Sequence, residues 1–175
     1  MARSVRKTVE SKAATDAGRM LALARSFPVS QSRLFRAFTA CADLNNWFGP
    51  EGFTVTACAV DLRVGGAWRI CMRSPQGQQY CVRGVYREIE RPRRLAFTWA
   101  WEQEDGASGH ETLVTLSFAE RNGETQLRLN QRRFESKKAR DAHKRGWTSS
   151  FVCLAEYLAP KPRARAGREQ ARPNA

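Results

Sequence analysis

At 175 residues, with 30 lysines and arginines against 17 aspartates and glutamates, the chain has the length of one domain and a net charge of +13. No apolar run approaches the ~18 residues a membrane helix needs, which excludes a membrane span. Its five cysteines, Cys41, Cys58, Cys71, Cys81 and Cys153, form no C-x-x-C pair. That spacing argues against a disulfide scaffold, a zinc knuckle and a thioredoxin motif, and predicts reduced thiols in a cytoplasmic protein.

The charge is unevenly placed. All 17 aromatic residues lie between Phe27 and Tyr157, while residues 1–19 carry +3 and residues 160–175 carry +4, leaving +6 on the 140 residues between. Segments without apolar content cannot bury enough surface to fold. The expected organisation is therefore a disordered basic tail over 1–19, one domain over 20–159, and a second disordered basic tail over 160–175. A secretory leader is not expected, because Met20-Leu21-Ala22-Leu23-Ala24 meets Arg25 before an apolar core has formed.

Residues 20–27 alternate and predict a first strand, closed by Pro28. Ser30 is placed to cap a helix whose apolar face is Leu34, Phe35, Ala37 and Phe38. A second short helix is predicted from Asp43, as its cap, to Trp47, and Gly49-Pro50-Glu51-Gly52 turns the chain. From Phe53 the period becomes two. Strands are predicted over 53–63, 67–73, 80–87, 95–101, 112–120 and 125–133. Turns at Val64-Gly65-Gly66, Ser74-Pro75-Gln76-Gly77, Arg91-Pro92 and Asn122-Gly123 join them, together with a polar loop over 104–109. Ser136 then caps a helix with His143, Trp147, Phe151, Leu154 and Leu158 on one face, and Pro160 ends it. This order predicts an α+β architecture in which one antiparallel sheet carries its helices on one face.

On that parity the inner face of the sheet holds Trp68, Met72, Tyr80, Tyr86, Phe97, Trp99, Trp101 and Gln131, opposite Trp147 and Phe151. Large aromatics of this kind either fill a core or wall a cavity, and the pattern alone leaves both open. Gln131, Tyr80 and Tyr86 are the informative members, since a buried polar group needs a partner.

Catalytic groups are few. His110 falls in the polar loop and reads as solvated. His143, one turn before Trp147, reads as a structural histidine, a pocket hydrogen-bonder or a general acid/base. Two histidines and scattered cysteines supply no convincing metal site, and Gly65-Gly66 is a turn rather than a phosphate loop, so no cofactor is expected. Asp61 and Arg63 share a strand face, in position to pair. The outer face carries Arg69, Arg73, Arg83, Arg87, Arg128 and Arg132, which form a solvated surface or a sequence-independent phosphate-binding face. Aromatics and arginines sit on opposite faces, unlike the interleaving of single-strand binders, so no specific nucleic-acid role is expected.

Six stretches carry a resemblance when taken in order. They are Arg25-Ser26-Phe27-Pro28-Val29, Leu44-Asn45-Asn46-Trp47-Phe48-Gly49-Pro50, Asp61-Leu62-Arg63-Val64-Gly65-Gly66-Ala67-Trp68, Gly84-Val85-Tyr86-Arg87-Glu88-Ile89, Leu95-Ala96-Phe97-Thr98-Trp99 and Gly146-Trp147. Together they resemble the START-like (SRPBCC) superfamily and, within it, the activator of heat-shock-protein-90 ATPase homologue-like family. The resemblance implies a helix-grip fold, a curved antiparallel sheet of six to seven strands around a long C-terminal helix with a pocket between them. Lipid carriers, hormone receptors, polyketide cyclases and chaperone regulators share that fold, which therefore does not decide the activity. The expectation is a binder of a small apolar or aromatic molecule, its pocket walled by Trp47, Phe48, Trp68, Met72, Tyr86, Trp99, Trp101, Gln131, Trp147 and Phe151. Two alternatives stay open: a chaperone-regulating or other protein-interaction module, and a cyclase-like enzyme acting on a ligand in the same cavity.

Overall fold

Residues 19–160 are described by a computed structural model. The expected tails, apart from Arg19 and Pro160, lie outside the described residues. The elements are β1 (Leu21–Phe27), α1 (Gln31–Ala37), α2 (Cys41–Trp47), β2 (Thr54–Val60), β3 (Ala67–Arg73), β4 (Gln79–Glu90), β5 (Arg94–Trp101), β6 (Thr112–Arg121), β7 (Glu124–Arg132) and α3 (Lys137–Leu158). Within this region the strands form one antiparallel sheet in the order β1-β7-β6-β5-β4-β3-β2. It is a meander from β2 to β7, with β1 added at the far edge along β7.

Local chemistry accounts for the boundaries. The Ser30 hydroxyl accepts from the Arg33 N–H (3.2 Å), and that of Ser136 accepts from the Ala139 N–H (3.1 Å), so both helices begin where a side chain satisfies an orphan donor. At the tip of the β6–β7 hairpin, Asn122 and Gly123 take the positive φ values of 54° and 79° that a tight hairpin turn requires. Along β7, Thr125, Leu127, Leu129 and Gln131 are buried while Gln126 and Arg128 are exposed, the alternation of a sheet covered on one side. The sheet bends at irregularities between Val55 and Ala57 and between Tyr86 and Glu88. Gly84 allows β4 to press on β5, since a Cβ there would fall 1.7 Å from the Thr98 carbonyl oxygen. Next to it the Val85 N–H donates to Thr98 Oγ1 (3.0 Å) instead of to a strand partner.

Three expectations change. Helix α2 starts earlier than predicted, and its cap position is Ala40, with no side-chain bond. Asp43 is instead buried in the first turn, where its carboxylate pairs with Arg33 (2.8 Å) and Arg36 (3.1 Å) and accepts from the Tyr157 hydroxyl (2.7 Å). It ties all three helices together. Tyr80 and Trp101, placed on the inner face by parity, sit at its rim with 37% exposure each. The cysteines also overturn the expectation of reduced thiols. Cys41 is bonded to Cys58, fastening α2 to β2, and Cys71 is bonded to Cys81 across β3 and β4. Among the described residues only Cys153 is free. Linear spacing misjudged these pairs because a disulfide needs adjacent Cα positions in the fold, not in the chain.

Asp61 and Arg63 do pair (2.8 Å), on the surface. His110 is exposed, and its ring meets the Arg133 carbonyl. No helix of the described residues is long and apolar enough to cross a membrane.

Candidate functional site

The concave face of the sheet and the N-terminal half of α3 do not close on each other completely. Between them lies a cavity of about 160 Å³. Helix α3 contributes Ala142, His143, Gly146, Trp147 and Ser150; β5 contributes Trp99 and Trp101; β3 contributes Met72; and the α2–β2 connection supplies Phe48, Gly49 and Pro50. The Cys41–Cys58 bond anchors the helix that leads into that connection. Gly49 has φ +114°, and a Cβ there would stand 3.0 Å from Met72 Sδ, so the chain turns into the cavity wall at a position suited to glycine. Among the lining residues Trp101 and Ala142 are exposed, which places the mouth between β5 and α3.

Ring orientations are set by edge and tilted contacts. The Trp99 and Trp147 centroids are 5.1 Å apart, those of Phe48 and Trp99 5.8 Å, and those of Trp99 and Trp101 5.7 Å with planes at 86°. Trp147 is further fixed by a relay. Its indole N–H donates to Gln131 Oε1 (2.8 Å), the Gln131 amide donates to Thr112 Oγ1 (2.8 Å), and the Thr112 hydroxyl donates to the Trp99 carbonyl (3.2 Å). Gln131 is fully buried and has spent its polar atoms on this relay.

The ten residues expected to wall the pocket separate into three groups. Phe48, Met72, Trp99, Trp101 and Trp147 line the cavity. Trp68 and Tyr86 border a neighbouring gap of about 20 Å³, room for one water. Burial pushes the Tyr86 phenol above its ordinary pKa, so it stays neutral. Trp47, Gln131 and Phe151 line neither space. The Trp47 N–H donates to the Ala37 carbonyl (2.9 Å), and Phe151 packs edge-on against Phe27.

His143 is a wall residue. Its Nδ1 lies 3.0 Å from the Ala139 carbonyl oxygen, one turn back along α3, while Nε2 is buried without a partner. Burial pushes the ring's pKa below the ordinary value, against the raising effects of the Ala139 bond and of Glu135. Trp99 Nε1 is also buried without a partner, as is Trp68 Nε1 beside the smaller gap. Gly49, Pro50, Ala142, Gly146 and Ser150 were not anticipated as wall residues. The turn signal marked the position of Gly49 and Pro50 but not their role.

A curved antiparallel sheet closed around one long helix, with a cavity at their junction, defines a helix-grip protein of the START-like class. The sequence model of the family described as Activator of Hsp90 ATPase homolog 1-like protein matches residues 28–159, and the chain belongs to that family. It is similar to the crystal structure of an AHSA1 protein from Silicibacter pomeroyi, with 34% identity over 79% of this chain and 96% of that one, at a TM-score of 0.73. A protein from Chromobacterium violaceum (24% identity, 82% and 99% covered, TM-score 0.74) and one from Arthrobacter aurescens (20%, 81% and 87%, TM-score 0.74) share the fold. No curated protein matches the chain.

Proposed function

We propose that the protein binds one small, uncharged aromatic molecule in the cavity between β5 and α3. The observation that carries this reading is an apolar space of about 160 Å³ framed by Phe48, Trp99, Trp101 and Trp147. An apolar cavity of ~150 Å³ is enough to admit benzene, whereas sites for drug-sized ligands run to ~300–1,000 Å³. One ring fits. Phe48, Met72, Trp99, Trp101 and Trp147 are the proposed contacts, with Trp68 and Tyr86 behind them and Trp47, Gln131 and Phe151 holding the walls. His143 is the cavity's one titratable wall residue, so the proposal is binding rather than turnover.

Toluene tests it. Three of the chain's five tryptophans line the cavity, so saturable toluene binding is expected to change tryptophan emission, and the change is expected to shrink in Trp147→Ala. Emission that toluene leaves untouched up to its solubility limit overturns the reading.

Family membership supports a second reading, docking of a protein partner such as a chaperone. Recovery of a chaperone in a pull-down, undiminished when the cavity is filled by substitution, favours that reading over the first. The expected cytoplasmic location rested on reduced thiols as well as on the short apolar stretch before Arg25, and the two disulfides remove the first of these supports, because such bonds persist in oxidising compartments. Thiol alkylation in rapidly quenched cells separates the cases. A cytoplasmic chain shows five reactive cysteines, and one matured in an oxidising compartment shows Cys153 alone.

A further inference from the structure

The outer face of the sheet, turned away from the cavity, carries a second recess. It is an open groove of about 390 Å³ with its floor on β5 and β6, where Ala96 lies opposite Thr115 and Thr98 opposite Leu113. Strand β4 forms one bank with Arg87 and Glu88, and the end of β7 forms the other with Arg132 and Arg133. Arg94 joins from the start of β5 and pairs with Glu88 (2.8 Å).

Both banks depart from regular strand geometry, and each departure adds an arginine. Successive residues of a strand point to opposite faces, so regular strands would not bring both Arg87 and Glu88, or both Arg132 and Arg133, to one groove. On β4, Arg87 is the extra residue at the irregularity between Tyr86 and Glu88, and a bulge re-aims side chains in this way. Just past β7, Arg133 holds a φ of +69°, a left-handed backbone that a residue other than glycine adopts at a cost, and the His110 ring meets its carbonyl. Arg87, Arg132 and Arg133 are exposed, and among the described residues none of them has a carboxylate partner. Arg69 and Arg83 on the same face, by contrast, share Glu102 (2.7 and 3.6 Å).

Four arginines against one glutamate leave the groove with an excess of three positive charges. Such a face repels a second copy of itself and calls for an anion. A guanidinium is a rigid fork for oxyanions, and here the forks come from two banks. A carboxylate accepts within one plane, whereas a tetrahedral phosphate accepts from several directions at once. One phosphate brings at most about two negative charges, so two linked phosphates come nearer to the excess. No aromatic side chain lines the groove, which therefore offers no platform on which the bases of a single strand would stack. We propose that this groove binds a small molecule through a diphosphate group, held by Arg87 on one side and by Arg132 and Arg133 on the other.

Inorganic pyrophosphate is the probe, titrated by calorimetry at about 0.15 M salt, where attraction between distant exposed charges is largely screened. Arg87→Gln and Arg132→Gln are each expected to weaken binding about tenfold, the worth of one charge-assisted hydrogen bond. Arg73→Gln removes an equal charge from the same face outside the groove and is expected to leave binding nearly unchanged. A loss in Arg73→Gln as large as in Arg132→Gln, or citrate binding as tightly as pyrophosphate, means general attraction of anions and overturns the inference. A single-stranded oligonucleotide that binds more tightly than pyrophosphate, and responds equally to both substitutions, overturns it in favour of a sheet-wide nucleic-acid surface.

Arg133→Gly separates recognition from folding. Glycine takes the left-handed backbone freely, so the urea midpoint should stay or rise while pyrophosphate binding weakens; unchanged binding overturns the inference. ADP then places the group: binding of both probes puts the diphosphate at the end of a larger molecule, and binding of pyrophosphate alone makes the free ion the ligand. Binding of neither removes the inference and leaves the toluene site, on the other face, untouched.

Discussion

The two ends of the groove under α3 are built from different side chains. Toward the C-terminal end of the helix, Phe151, Leu154 and Leu158 join Leu21 and Phe27 of β1 and Leu127 and Leu129 of β7 in the core. Leu127, Leu129, Leu154 and Phe27 have no exposed surface at all. Toward the N-terminal end, the helix offers Ala142, His143 and Gly146, and the sheet offers Trp99 and Trp101. Branched aliphatic side chains adjust their rotamers until gaps close. Trp99 and Trp101, held edge-on to one another, and Trp147, tethered through Gln131, cannot rotate to fill what a short helix residue leaves open. One sheet and one helix thus carry both a filled core and a cavity, and residue size along α3 decides where each occurs.

The sharpest way to break that division is Leu154→Ala. Truncating a fully buried leucine in the filled half should cost about 3 kcal/mol, read as a lower urea midpoint with an unchanged slope. Toluene binding at the far end should persist in the folded fraction. A loss below about 1 kcal/mol would show that the filled half is as loosely packed as the other.

Gln131→Leu addresses the boundary between the halves. It removes the acceptor of the Trp147 N–H and the donor to Thr112 while nearly conserving volume. A stability loss of about 2 kcal/mol is expected, because at least one buried N–H is left unsatisfied. The freed Trp147 ring should also alter the cavity, changing tryptophan emission before any ligand is added. Wild-type emission together with wild-type stability would sink the tether.

Much of this division was legible in the sequence. Period two from Phe53 onward and the spacing of His143, Trp147, Phe151, Leu154 and Leu158 located the sheet, the long helix and its inner face. Parity and helix spacing placed Met72, Trp99, Trp101 and Trp147 around one space, and Phe48 joined them only with the resemblance. Spacing gave no sign of Ala142 or Gly146, because a cavity is made by what is missing, and small residues carry little periodic signal. Gln131 was singled out as buried and polar, yet whether such a group meets a ligand or a tryptophan depends on contacts between β7 and α3 that lie outside strand parity. The Cys71–Cys81 bond was within reach. With Met72 and Tyr80 both on the inner face, the hairpin register that pairs them also sets Cys71 and Cys81 directly opposite each other. The Cys41–Cys58 bond was not, since it depends on how α2 lies over β2.

Gly146→Ala probes the open half with a smaller and opposite effect. Glycine in a helix interior costs about 0.5–1 kcal/mol relative to alanine. A Cβ at Gly146 would meet nothing within 4 Å, so the substitution adds no clash. The variant should therefore be more stable than the wild type by roughly that amount, while the added methyl takes space from the cavity and weakens toluene binding. Stability gained at the expense of binding would show that the open half is maintained for its ligand. A variant equally stable, or one binding toluene as before, would remove that inference.

The smallest effect expected is a dependence on pH at the same end. Unfolded, the His143 ring titrates near 6.5; folded, burial holds its pKa lower. Around it, Glu135 acts to raise the value, while Phe134, Trp99 and Trp101 are aromatic neighbours that carry no charge. Above the unfolded pKa both states hold a neutral ring, and this group contributes no slope. As pH falls from there toward the folded pKa, the unfolded state binds more protons, so stability declines; below the folded pKa the decline stops. Urea midpoints at about pH 7.5 and about pH 5.5 should accordingly differ more in the wild type than in His143→Gln, which cannot titrate in this range. Leu154→Ala leaves the ring in place and should keep the wild-type difference, which ties the pH response to the open end of the groove. Equal differences in wild type and His143→Gln would mean that the ring is as well solvated folded as unfolded.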